Sequence, residues 1–115
     1  MMRKLILALT LCTFSGLGQA ATLYVSEFKN YPGIYQAPLA PEVTHQTVAI
    51  GGSSARSNPF NVQTQLIEIV CDTTCSVQVG STTPTATTSS HRMAAGVPEF
   101  FIVQPGDAVA VISNS

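Results

Sequence analysis

The chain of 115 residues holds five Lys and Arg against six Asp and Glu, for a formal net charge of −1, and only 10% of its residues are charged. It has no basic cluster with which to displace counterions, which argues against nucleic acid or an anionic lipid surface as a partner. Ordinary soluble domains hold about 25% charged residues. Solubility here rests on neutral Ser, Thr, Gln and Asn, a surface suited to subunits that pack together or work outside the cell.

Residues 1–20 read as an export leader, a signal peptide. Arg3 and Lys4 supply the positive start, and Leu5–Phe14 (LILALTLCTF) is an apolar run too short to span a bilayer. The run lacks the polar face that a buried amphipathic helix would show. Gly18-Gln19-Ala20 places small residues where a signal peptidase reads, so the expected cut lies between Ala20 and Ala21. Cleavage leaves 95 residues (115 − 20), enough for one domain spanning 21–115 with a modest core. Its charge is 3 − 6 = −3, from Lys29, Arg56 and Arg92 against Glu27, Glu42, Glu68, Asp72, Glu99 and Asp107. No later segment reaches transmembrane length, so no integral membrane segment is expected after cleavage.

Thr22–Phe28 alternates Leu23 and Val25 with Thr22 and Ser26, the pattern of a half-buried strand. Asn30–Pro41 holds Pro32, Gly33, Pro38 and Pro41 and reads as an irregular surface loop. Val43–Ile50 resumes as a strand and stops at Gly51-Gly52-Ser53-Ser54. Gln63–Cys71 puts Ile67, Ile69 and Cys71 on one face and Leu66, Glu68 and Val70 on the other. Cys75–Gly80 turns Val77 and Val79 inward and Ser76 and Gln78 outward. Ser81–Ser90 (STTPTATTSS) has the composition of an exposed loop. Pro98–Val103 and Ala108–Ser113 read as a closing hairpin, joined by the type II turn signal Gln104-Pro105-Gly106-Asp107. The doubled Phe100-Phe101 leaves the phase of the first of these strands open. About six strands at this spacing predict a single small all-β domain, an antiparallel β-sandwich or small barrel. Its core is expected to draw on Ile67, Ile69, Val77, Val79, Phe101, Val103, Val109 and Val111.

Residues equipped for catalysis are sparse. The carboxylates are scattered singly, and solvated positions are their default. His45 and His91 have no acid close in sequence positioned to orient them, so both read as ordinary, partly exposed histidines. No G-x-S-x-G elbow is present, and the glycine pairs lack a following helix to cradle phosphate. An enzyme is not expected, nor is a cofactor.

The cysteines say more. Cys12 lies in the leader, leaving Cys71 and Cys75 in VCDTTCSV between two strand-like runs. Placed opposite one another across a hairpin loop, they would fall within disulfide reach, near 5 Å between Cα atoms. Oxidation requires export; in the cytoplasm two free thiols are expected. Zinc is the poorer alternative, because C-x₃-C with two distant histidines does not make a good tetrahedral site.

The segments ATLYVSEF, QTVAIGGSSARSNPFNVQTQLIEIVCDTTCSVQVG and TPTATTSSHRMAAGVPEFFIVQPGDAVAVISNS resemble a family of small structural proteins of tailed bacteriophages, the virion or head-associated proteins. The resemblance covers nearly all of the chain from Ala21 onward and rests on the order of strands and turns. It implies a compact β-sandwich that packs on a capsid or tail and carries no catalytic residues. The leader lies outside that pattern. Two roles therefore stand side by side: a virion-type subunit of phage or prophage origin, and an exported periplasmic or cell-surface β-sandwich binding module. Either implies a homo-oligomer, or docking on a larger assembly.

Overall fold

The computed structural model describes residues 21–29 and 42–114, and the expected leader and the Asn30–Pro41 loop lie outside them. The described residues form eight strands: β1 (Ala21–Phe28), β2 (Thr44–Ile50), β3 (Ala55–Arg56), β4 (Leu66–Cys71), β5 (Cys75–Val79), β6 (His91–Met93), β7 (Glu99–Ile102) and β8 (Val109–Ser113). They build two four-stranded sheets, ordered β2-β1-β4-β7 and β3-β8-β5-β6. Every pairing is antiparallel. The sheets are separate, so the domain is a β-sandwich and not a closed barrel.

Two strands more than the expected six are present. The additional ones are β3 and β6, of two and three residues, too short to display a period of two. The expected hairpins are also corrected. β4 lies in the first sheet and β5 in the second, and so do β7 and β8 respectively. Both connections therefore arch from one sheet to the other. The turn chemistry at Gln104–Asp107 nevertheless holds: Asp107 N–H donates to the Gln104 carbonyl at 3.1 Å, and Gly106 has φ +87°, a value that suits glycine.

The chain passes between the sheets at β2→β3, β3→β4, β4→β5, β6→β7 and β7→β8. This connectivity matches that of an eight-stranded jelly roll, except that the strand between β2 and β4 comes first in the chain and not last. The start of β1 and the end of β8 flank one turn, which makes this order sterically open. Asp72 N–H donates to the Thr22 carbonyl at 3.0 Å, and Asn114 N–H donates to that of Thr74 at 3.2 Å.

The core lies between the sheets. Leu23, Val25, Ile67 and Ile69 face Val77, Met93, Val109 and Val111, all essentially inaccessible. Each such side chain contributes about 1.5–3 kcal/mol when fully buried. Val103 is buried with them, while Val79 and Phe101 pack at the margin of the cluster. The strand phase at the doubled phenylalanine is thereby decided: Phe101 turns inward, and Phe100 and Ile102 turn out. Phe60, from the connection between β3 and β4, adds an aromatic plug. It is held because its N–H donates to the Asp107 carbonyl at 2.7 Å and its carbonyl accepts from Gly106 N–H at 3.1 Å.

Candidate interaction surface

The two sheets present very different outer faces. On the second sheet, register aligns Arg56 with Ala110 and Gln78, and Ile112 with Ser76 and Arg92. Ser76 and Ala110 point outward and yet are 0% exposed. The Ser81–Ser90 segment covers them: it is a largely exposed loop, as expected, but it takes Ser76 out of the solvent in which the sequence placed it. Gly80 (φ +106°) and Ser81 (φ +64°) turn the chain back over the sheet. Arg56 Nε then donates to the Pro84 carbonyl at 3.1 Å, and Ala86 N–H donates to Ser54 Oγ at 2.9 Å. Asn114 Nδ2 reaches both Ser76 Oγ (2.6 Å) and the Thr88 carbonyl (3.2 Å). Pro84 and Ala86 are buried beneath the exposed threonines.

On the first sheet, the outward rows are Phe28–Leu66–Ile102, Ser26–Glu68–Phe100 and Tyr24–Val70. Phe28 and Leu66 are buried but stand apart from the core cluster. Tyr24, Phe100 and Ile102 are 50%, 49% and 67% exposed. Large apolar side chains gathered on one face mark a contact surface more often than scattered ones do.

Three polar clusters lie around this framework. Glu27, expected in solvent, is 1% exposed. It faces inward at the end of β1, and neutral donors compensate its desolvation. Oε1 accepts from Asn61 N–H (2.9 Å) and Thr64 Oγ1 (2.7 Å), and Oε2 accepts from Gln46 Nε2 (2.9 Å). Gln46 in turn clamps Asn58, its Oε1 accepting from Asn58 N–H at 2.9 Å and its Nε2 donating to the Asn58 carbonyl at 3.2 Å. The carboxylate thereby ties β1 and β2 to the connection between β3 and β4. A small polar cleft of about 220 Å³ opens beside it.

Both histidines do have acids, contrary to expectation. His45 Nδ1 lies 2.6 Å from Glu42 Oε2, and His91 Nε2 lies 2.6 Å from Glu99 Oε1. The first pair is three residues apart on an exposed edge. The second joins β6 to β7 and so links the two sheets, which a linear reading of the sequence cannot anticipate. The His91 ring also meets Phe101 edge-on, with centroids 5.9 Å apart. A cleft of about 370 Å³ lies here, where β6 ends and leaves Val79 beside the β7 edge. A His–Glu pair supplies two of the three members of a nucleophilic triad, but the lining of this cleft has no hydroxyl or thiol to serve as the third. Among the described residues, no three His, Cys, Asp or Glu side chains gather to hold a metal ion.

Of the residues singled out from the sequence, Cys71 and Cys75 are brought together as a disulfide with Cα atoms 6.5 Å apart. Ala21 opens β1 opposite Ile50, and Ala20 lies outside the described residues. No helix among the described residues is long and apolar enough to cross a membrane. Comparison of the chain with models of known families, with curated proteins and with solved structures finds no match in any of the three.

Proposed function

We propose that the chain is a non-enzymatic structural subunit of the phage or prophage virion type, working by packing its first sheet on another copy or on a larger particle. The contrast between the outer faces carries this reading. One is partly covered by the chain's own Ser81–Ser90 segment and otherwise shows the polar Arg56, Gln78 and Arg92, and the other offers Tyr24, Phe100 and Ile102 to a partner. The jelly-roll strand order is in keeping with it, as an analogy of fold alone, since viral capsid and lectin domains both use that order. Co-sedimentation with assembled particles from an induced lysogen is the test. Recovery in the particle fraction is expected. Recovery only in the periplasmic or medium fraction would discard the virion role.

That second outcome would favour an exported β-sandwich binding module. The disulfide supports this alternative, because such bonds persist in oxidising compartments, and so does the leader-like sequence of residues 1–20.

A further inference from the structure

The four sheet edges are not equally protected. β3 offers two residues, one of them Arg56, and β6 offers three with Arg92 among them. Shortness and positive charge both discourage pairing with another chain. β2 is longer, but its outward residues His45, Thr47 and Ala49 bring no large apolar side chain. Among the described residues, β7 alone joins an open edge to exposed large apolar groups, Phe100 and Ile102.

The ladder settles which main-chain groups of β7 face outward. Val103 N–H donates to the Gln65 carbonyl at 3.0 Å, continuing the register that aligns Phe101 with Ile67 and Glu99 with Ile69. In an antiparallel pair, alternate residues bond to the same neighbour. Glu99, Phe101 and Val103 therefore turn their N–H and C=O groups toward β4, and Phe100 and Ile102 turn theirs away from it.

We infer that a second copy of this chain occupies the edge, β7 pairing antiparallel with β7 about a two-fold axis through Phe101, so that the two first sheets become one. This rests on the assembly reading above and specifies its contact. Phe100 of each copy exchanges both main-chain bonds with Ile102 of the other, and their side chains meet as cross-strand apolar pairs. The two Phe101 rings close the seam beside His91. The charges are compatible: Glu99 falls opposite Val103 of the second copy, so the two acidic side chains lie at opposite ends of the ladder and do not face each other. An isologous contact of this kind closes on itself as a dimer.

Sedimentation of the mature protein across a concentration series, with far-UV circular dichroism as the check on folding, tests this. The wild type is expected to dimerise. Ile102→Lys should keep the β spectrum, since the side chain is exposed, and raise the dimer Kd by at least about tenfold, or about 1.4 kcal/mol. Register is read separately by oxidative cross-linking of Phe100→Cys and Ile102→Cys: the mixture should yield a disulfide-linked heterodimer, and each variant alone much less. A folded Ile102→Lys that associates as well as wild type, or equal cross-linking by the single variants, overturns the β7 edge while leaving assembly intact. A wild type monomeric up to about 1 mM overturns it too, and particle co-sedimentation then decides the broader reading independently.

Discussion

Cys71 and Cys75 are bonded across the space between the two sheets. Cys71 sits in register with Leu23 in the first sheet, and Cys75 with Met93 and Ser113 in the second. The bond therefore pins the tightest arch of the sandwich, where only Asp72-Thr73-Thr74 intervene, and both cysteines are fully buried. Closing so short a loop removes enough unfolded-chain entropy to stabilise the fold by about 2 kcal/mol. The double variant Cys71→Ala/Cys75→Ala should lose about that much in urea unfolding and still fold. Alkylation under non-reducing conditions should find no free thiol in the exported protein; two modified cysteines would remove the staple.

Glu27→Ala should cost more than any surface change. It strands the buried Thr64 hydroxyl and the part-buried Asn61 N–H and Gln46 amide around a cavity where the carboxylate was, for a loss of about 3 kcal/mol. Glu27→Gln should cost about half as much, because one amide oxygen still accepts from Asn61 and Thr64 while its NH₂ confronts the Gln46 donor. Thr82→Ala, at an exposed position of the Ser81–Ser90 segment, is the control and should stay within about 0.5 kcal/mol of wild type. A Glu27→Ala protein as stable as that control would show the network to be energetically idle.

Arg56 anchors the Ser81–Ser90 segment through the Pro84 carbonyl. Arg56→Ala should leave global stability nearly unchanged and loosen the segment by about 1 kcal/mol. The Ala86 amide, bonded to Ser54 Oγ, should then exchange its hydrogen about fivefold faster. Unchanged exchange at Ala86 would mean that Ser54 and Asn114 hold the segment without Arg56.

The mature protein is expected to begin at Ala21, the first residue of β1. Intact-mass analysis after expression in a Gram-negative host should show loss of residues 1–20. Full-length protein in the cytoplasmic fraction would end the export proposal and leave a virion role to stand alone.

Periodicity by itself determined a good deal here. Alternation of Leu23 with Val25, Ile67 with Ile69 and Val109 with Val111 is a local property, repeated every two residues. It is enough to identify strands, the faces they bury and an all-β domain. Turn chemistry is equally local, so Pro105-Gly106 announced its bend without help. The Cys71–Cys75 spacing likewise allowed a disulfide whichever sheet each cysteine joined.

Alternation says which face is buried, however, and nothing about which neighbour a strand takes. The two tight connections that look like hairpins became arches because β1, from far upstream, occupies the place beside β4, and β8 occupies the place beside β5. Glu27 shows the same limit. Its partner Thr64 is 37 residues away, and only the closed sandwich brings enough donors together to hold a carboxylate out of water. The covering of Ser76 by a threonine-rich segment, the joining of His91 to Glu99 between sheets, and the outward turn of Phe100 and Ile102 at an open edge all depend on contacts distant in sequence. The tertiary structure decided these, because the free energy of each depends on what the rest of the chain places opposite it.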